Sequence, residues 1–408
     1  MKKIFMLAVV VAMLQSCVTH DGVHVELYNP SDNVRINETI TLDYDLVVAR
    51  LVPDSGEQVV IYDKAGSCVP YQVTHDNKLI FQAAAVEPHS RCVYRIGVGM
   101  PDTFQVQATG AHYPQRVDDI AWENDCIAFR TYGPALQASG ERAYGYDAWV
   151  KRVDYPVVAD RYAAELNPET VAEVARLKVV DPDSATALYN SVSYHVDHGN
   201  GLDYYKVGPT LGAGTSALLD AEGNIIYPYC YDTFEILDNG PLRFSMRLRY
   251  KPFVWGEDSV VETRVITLDK GSQLNRIDIV YDNLSQSASM VSGIVLHDTD
   301  SVMEYSATAG YAAYAEPIDS LNGRIYVGMA CHKGVVEAAP RYFGEEERAE
   351  RGAEGHLLMQ YAYKPGEVLT YYAGAGWSKW GFETPDDWFV YMRYYADMIA
   401  NPMQVSFK

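Results

Sequence analysis

The densest run of reactive side chains lies between Tyr194 and Gly214, YHVDHGNGLDYYKVGPTLGAG. Two histidines, two aspartates, three tyrosines and a lysine share this stretch with five glycines. A core has no use for that mixture. His195, His198, Asp197, Asp203, Tyr204, Tyr205 and Lys206 all move protons, bind metals or hydrogen-bond sugars. The glycines permit positive φ and a close approach of backbone to a ligand. Histidine titrates near the working pH, so His195 and His198 are the acid/base candidates, with Tyr204 and Tyr205 as further proton carriers. A tyrosine needs a nearby cation to lower its pKa, and Lys206 follows Tyr205 directly. On a regular strand, residues i and i+3 face opposite sides, so the two histidines converge only if the segment turns. Taken singly, each histidine fits equally well as a loop residue bonding backbone.

Two further segments carry candidate groups. The first runs from Trp122-Glu123-Asn124-Asp125 through Phe129-Arg130-Thr131-Tyr132 to Tyr146-Asp147-Ala148-Trp149-Val150-Lys151-Arg152. The second is Gly374-Ala375-Gly376-Trp377-Ser378-Lys379-Trp380-Gly381. Strand propensity accounts for most of the 32 tyrosines. It accounts less well for Tyr144, Tyr146, Trp149, Trp377 and Trp380, which sit beside Gly and Lys and suit stacking on sugar rings. Arg130, Lys151, Arg152, Lys206 and Lys379 are cations able to hold an acidic ligand, with Asp197 and Asp203 as hydrogen-bond acceptors. Glu123, Asp125, Asp147, Asp197 and Asp203 keep open a two-carboxylate glycosidase. His195-x-Asp197-His198, with His297 and Asp298, offers ligands for a divalent cation as an alternative to a cofactor-free site. His297 and His332 end apolar strands, where they either face a groove or cap the strand. There is no GxSxG elbow, no HExxH, and no phosphate-loop or dinucleotide fingerprint in strand–turn–helix context.

The elements that must position these residues are mostly strands. Val23–Leu27 and Ile40–Leu46 alternate apolar and polar, and 58–62, 78–82 and 93–98 are further candidates, so 22–108 reads as a small Ig-like β-sandwich for support. From 110 to 408 the pattern is a large antiparallel sandwich. Leu242, Phe244, Met246, Leu248 and Tyr250 point one way, Arg243, Ser245, Arg247 and Arg249 the other. Two helices interrupt it: 169–178, capped by Asn167-Pro168, and 388–400, opened by Thr384-Pro385-Asp386-Asp387. Residues 343–355 read as a solvated loop.

The first 17 residues form a basic, then apolar leader ending in Leu14-Gln15-Ser16-Cys17, a lipobox-like site. Cys17 is therefore expected to carry lipid and tie an exported lipoprotein to a membrane, in the periplasm or at the outer membrane. Loss of residues 1–16 removes two of 33 basic residues against 54 acidic ones, taking the net charge from −21 to −23. Such a chain is a poor partner for nucleic acid, and an acidic sugar would need local Arg and Lys to hold it. Five cysteines remain; Cys68–Cys92 could bridge, or all could be small buried apolar residues.

The motifs WENDxxAFRxYGP (122–134), YDxWxKR (146–152), HxDHGxGLDYYKVGxxLGAG, DNGPxR (238–243) and GAGWSKWGF (374–382) together resemble the DUF4861 family of Bacteroidetes polysaccharide-utilisation loci. The resemblance covers nearly the whole chain after the leader. It implies a β-supersandwich related to galactose-mutarotase-like and lyase folds, and an enzyme that dehydrates or cleaves uronate-terminated oligosaccharides by β-elimination. Elimination removes the C5 proton of a uronate and expels the oxygen at C4. It requires a cation on the carboxylate, a base, and an acid for the leaving oxygen. The residues above supply all three types. Glycoside hydrolysis, or glycan binding without catalysis, remain the alternatives.

Overall fold

The computed structural model describes residues 22–408 except 52, 54, 55 and 301; the expected lipidation site Cys17 lies outside the described residues. Every pairing between its named strands is antiparallel, and the chain is an all-β sandwich protein with short helical insertions.

The N-terminal part packs a five-stranded sheet on a three-stranded one. Val25, Leu27, Leu42, Ile61, Phe81 and Ile96 share its core. The strand Thr39–Asp43 stops short of the expected Leu46, and a helix, Tyr44–Leu51, follows. Asp43 accepts a hydrogen bond from the Leu46 amide, and Val47 and Leu51, four apart, bury one helical face. The last strand of the chain, Gln404–Phe407, pairs with Val23–Tyr28 and completes this sheet. The first and last strands of the described residues therefore belong to one layer.

Three sheets enclose the main core. A nine-stranded sheet contributes Phe244, Met246, Ile266 and Ile277, and a five-stranded one Leu218, Met290, Ile294 and Met359. A second five-stranded sheet, of strands 109–113, 119–123, 127–131, 147–151 and 201–203, contributes Trp122, Phe129 and Val150. The alternation of 242–250 holds: the apolar set is buried and Arg247 and Arg249 are exposed, although Ser245 is buried against Asp238.

Both expected helices form. Asn167 Oδ1 accepts from the Glu169 and Thr170 amides, and Thr384 and Asp387 make a capping box. Other helices escaped the strand-period reading, among them Val158–Glu165 and Pro182–Val192. The expected loop 343–355 contains a helix, Glu345–Arg351. Its acids fill the first turn, its arginines the last, and Gly352 ends it at φ 64°, so the charge run complements the helix dipole. Cys68, Cys92, Cys126, Cys230 and Cys331 are all free thiols, so the Cys68–Cys92 bridge is absent.

Candidate functional site

The sheet 109–203 has two faces with opposite chemistry. Ile127 and Phe129, or Ala148 and Val150, point into the main core. The alternate positions Asp119, Glu123, Arg130, Asp147, Trp149, Lys151 and Asp203 are buried on the other face. Strand register sets Arg130 opposite Asp147 and Trp149 opposite Asp203. The helix Val158–Glu165 and Tyr194 cover this face. Trp149 stacks on Tyr194 with centroids 4.7 Å apart and lies 5.2 Å from the Tyr162 ring. Trp149 is thus part of an aromatic core and offers no face to a sugar, contrary to its expected stacking role.

At the centre is Arg130. Its Nη2 donates to Asp147, to Asp203 Oδ2 at 2.8 Å and to the Tyr132 hydroxyl at 3.3 Å. Its Nη1 is 3.6 Å from Asp119 Oδ2, to which the Tyr162 hydroxyl donates at 3.1 Å. Three carboxylates therefore surround one guanidinium, with Arg116 nearby donating to the Tyr194 hydroxyl at 2.9 Å. Burial pushes the Asp119 carboxyl up to about 6 against the pull of Arg130 and Arg116. Burial, and then the charge of Asp147, push Asp203 well above the usual carboxylate range. Burial thus favours the protonated form of Asp119 and Asp203 more than in an exposed carboxyl.

His195 stands at its edge, with 47% of the side chain exposed. Its Nδ1 lies 2.8 Å from the Asp203 carbonyl oxygen and 3.7 Å from Asp203 Oδ2. A carbonyl only accepts, so Nδ1 carries the hydrogen and the neutral ring keeps its lone pair on Nε2. The turn expected from the glycines exists, and its backbone is fixed from below. Arg161 donates to the carbonyls of Ser193 and Val196 and to Asn200 Oδ1. Asp197 accepts from the Gly199 and Gly201 amides and pairs with Arg152 at 3.0 Å. Gly201 has φ 102°, and a Cβ there would lie 1.9 Å from the Val150 carbonyl oxygen. His198 is exposed, its Nε2 3.1 Å from the Ser193 carbonyl oxygen. Both histidines thus hang on one loop, each tied to backbone.

Past Asp203 the chain crosses to a second group. Tyr205 is buried, its hydroxyl without a hydrogen-bond partner, and its ring meets His297 edge-on at 6.0 Å. The His297 Nδ1 lies 2.9 and 3.0 Å from the two Glu316 oxygens. Tyr204 reaches the Asn322 carbonyl at 3.4 Å, to which the Trp377 indole also donates at 2.7 Å. Lys379 donates to the Leu321 carbonyl and lies over the Trp377 ring at 5.5 Å. Burial pushes both tyrosines up, and neighbouring carboxylates add to it, Asp319 and Glu316 for Tyr204, Glu316 and Asp147 for Tyr205. No lysine acts on either, and Lys206 is exposed to solvent. The expectation that Lys206 lowers a tyrosine pKa is therefore overturned.

Lys151 is corrected as well. It is buried, and its ammonium is committed to Glu123 at 2.6 Å and to the carbonyls of Asn124 and Tyr155. Three donors are all an ammonium has, so none is left for a substrate carboxylate. Glu123 in turn accepts from the Val157 and Val158 amides, which fixes the start of the helix that covers the sheet. Arg130 is buried among its own carboxylates, away from solvent, and Trp377 is buried. Arg152, Lys206, Lys379 and Trp380 retain exposure. Among the described residues no group of three or more His, Cys, Asp or Glu is placed to hold a metal ion, His195 and His198 included.

Asp119 and Arg116 were missed, as was the partnership of Glu316 with His297. For Asp119 a signal existed: in Asp119-Ile120-Ala121-Trp122-Glu123 and Ile127-Ala128-Phe129-Arg130 the charged residues and the small Ala121 and Ala128 share one side, opposite the large apolar residues. Successive strands with charge on one side describe a buried polar layer. Glu316, which follows a run of small residues, has no such mark.

The family described as "Domain of unknown function (DUF4861)" matches residues 27–405. An "Uncharacterized protein P7" of Formosa agariphila is 26% identical over 429 residues, covering all of both chains. Among solved structures, an alpha-mannosidase of Enterococcus faecalis aligns with 95% of this chain at TM-score 0.49 and 9% identity. A protein of glycosyl hydrolase family 38 from the same organism aligns with 96% at TM-score 0.47 and 8% identity. The chain spans just under half the length of each, 46% and 48%.

Proposed function

The chain belongs to the DUF4861 family, and from that premise we propose that it is an exported, lipid-anchored enzyme acting on uronate-containing oligosaccharides by β-elimination. One observation carries the reading: His195 is half exposed, its Nδ1 is tied to Asp203, and its Nε2 is left free beside a proton-holding cluster. In the reaction His195 Nε2 takes the C5 proton. The C5–H electron pair forms the C4=C5 double bond, the C4–O bond breaks, and the leaving oxygen takes a proton from the imidazolium or from water. Arg152 and Lys206, the exposed cations of the loop and its flank, neutralise the substrate carboxylate. The Asp203 carbonyl oxygen, 2.8 Å from Nδ1, holds the ring in the tautomer that leaves Nε2 free to take the proton. The step needs no resident cofactor.

The test follows absorbance at the unsaturated-uronate band with pectic, ulvan-type and glycosaminoglycan oligosaccharides. Wild type is expected to raise it, and His195→Gln to slow it by about 10²–10⁴-fold with an unchanged melting temperature. Absence of a rise over the whole panel rejects elimination.

A second reading rests on Asp147 and Asp203, which share Arg130 Nη2 and of which Asp203 is pushed up, as a glycosidase acid must be. Both carboxylates are buried, which favours His195 as the group that meets substrate. New reducing ends without the ultraviolet band would select this second chemistry.

A further inference from the structure

Between the strands 109–113 and 119–123 lies a single 3₁₀ turn, Pro114–Arg116, and the chain leaves it through Val117 at φ 47° and Asp118 at φ 65°. A β-branched residue in the left-handed region is rare and persists only where its surroundings fix it. Here the Leu136 amide donates to the Val117 carbonyl at 3.1 Å, and the Tyr231 hydroxyl to the Asp118 carbonyl at 2.6 Å. Gly133 approaches so closely that a Cβ on it would lie 2.0 Å from the Asp118 carbonyl oxygen. The turn is thus held in one conformation, and it delivers Arg116 to Tyr194, the residue before His195.

Arg116 is anchored at one nitrogen and open at two. Its Nε donates to the Tyr194 hydroxyl at 2.9 Å, and Tyr194 is itself buried. Among the described residues Nη1 and Nη2 have no hydrogen-bond partner, and no carboxylate forms an ion pair with them. The side chain is partly exposed, and both terminal nitrogens reach solvent. The neighbouring cations differ. Arg130 and Lys151 are enclosed by their partners, Arg161 bonds the Ser193 and Val196 carbonyls, and Arg152 pairs with Asp197. Lys206 is exposed, a point charge on a flexible stem.

The position of Arg116 is that of the site. The Tyr194 ring lies 4.4 Å from the His195 ring, so one tyrosine separates guanidinium from imidazole. Burial pushes the Asp119 and Asp203 carboxyls up, and Arg116 is near enough to act against it on both. A guanidinium with its two terminal nitrogens open offers the planar fork that a carboxylate accepts. Because Tyr194 already orients it, little side-chain freedom remains to be lost on binding.

We propose that Arg116 receives the carboxylate of the uronate, and is the residue by which the site prefers an acidic sugar to a neutral one. The inference rests on the elimination reading above. It adds to Arg152 and Lys206 a cation whose orientation the fold fixes.

The experiment uses calorimetry on a His195→Gln background. The ligands are uronate-terminated pectic, ulvan-type and glycosaminoglycan oligosaccharides, and the same oligosaccharides with the terminal carboxyl reduced to the alcohol. Arg116→Gln added to that background should cut the preference for the acid by about tenfold or more and leave the affinity for the alcohol unchanged. An arginine with a structural role alone would weaken both ligands alike. Arg116→Lys, which keeps the charge without the fork, should retain part of the preference. The ratio of the two affinities is read within each folded variant, so a loss of stability does not imitate the effect. An unchanged ratio in both variants, while the His195 enzyme still forms unsaturated product, overturns Arg116 as the receptor and leaves elimination intact. Absence of both unsaturated product and any preference for the acid, over the whole panel, overturns both.

Discussion

Arg264 and Arg130 are both buried in this protein, and they are buried differently. Arg264, on the strand Asp258–Asp269, bonds through each of its nitrogens: to Glu262, to the Tyr146 hydroxyl at 3.1 Å and to the Ser216 carbonyl at 3.0 Å. The Tyr250 ring lies 4.5 Å away. One carboxylate meets one guanidinium, inside the main sandwich core. Arg130 hydrogen-bonds through Nη2 alone, leaving Nε and Nη1 without hydrogen-bond partners, and faces three carboxylates. Burying a charge costs several kcal/mol, and only good geometry and a matched partner offset it. Arg264 has both. Arg130 has an excess of acid and an incomplete set of bonds, with a half-exposed histidine one residue-width away. Arg264 therefore sits in a matched pair and Arg130 in an unbalanced cluster, the difference expected between a structural ion pair and a site with a chemical role.

The largest effect comes from removing each arginine. Arg264→Met should cost about 3–5 kcal/mol of unfolding free energy by stranding Glu262. Adding Glu262→Gln should recover most of it, because the pair is balanced. Arg130→Met should cost a similar amount, but Arg130→Met with Asp147→Asn should recover little, since Asp119 and Asp203 remain buried without the guanidinium. Urea denaturation of the four variants measures this. Equal recovery in both pairs would remove the distinction.

A smaller effect sharpens it. The Asp119 carboxyl is moved by burial from its ordinary 3.8 to about 6, which corresponds to about 3 kcal/mol. Because its folded pKa is raised, the native state binds the proton more tightly than the unfolded chain. Its contribution is fully present below 3.8 and is lost as pH rises through about 6. Asp119→Asn cannot release that proton. The variant should therefore lose less stability than wild type between pH 3.8 and 6, read as the difference between their urea midpoints. Parallel curves would mean that the cluster does not store a proton at Asp119.

The same contrast explains what could be read from sequence. Strand positions along 258–282 follow from period-two patterning, and both capped helices from Asn167 and Thr384, because these signals are local. Helix Tyr44–Leu51 was hidden because its first residues continue the alternation of the strand before it. At the site, His195 was legible from its glycine-rich surroundings. The fate of Lys151 and Trp149 was not. Both are alternate residues of a strand whose second face is covered by a helix about ten residues later in the chain, and coverage is a tertiary fact.

The smallest effect concerns the charge left outside these cages. Lys206 is exposed and only three residues beyond Asp203, so Lys206→Met should change stability by less than about 0.5 kcal/mol. Its contribution, if it neutralises a substrate carboxylate, grows as charge builds on that carboxylate in the transition state. Lys206→Met should then raise KM and lower kcat several-fold, and His195→Gln should lower kcat far more. Steady-state rates with a uronate-terminated substrate distinguish the two. A fall in kcat on Lys206→Met equal to that of His195→Gln would place the lysine in the proton transfer itself, and the division between a buried proton store and an exposed carboxylate clamp would have to be redrawn.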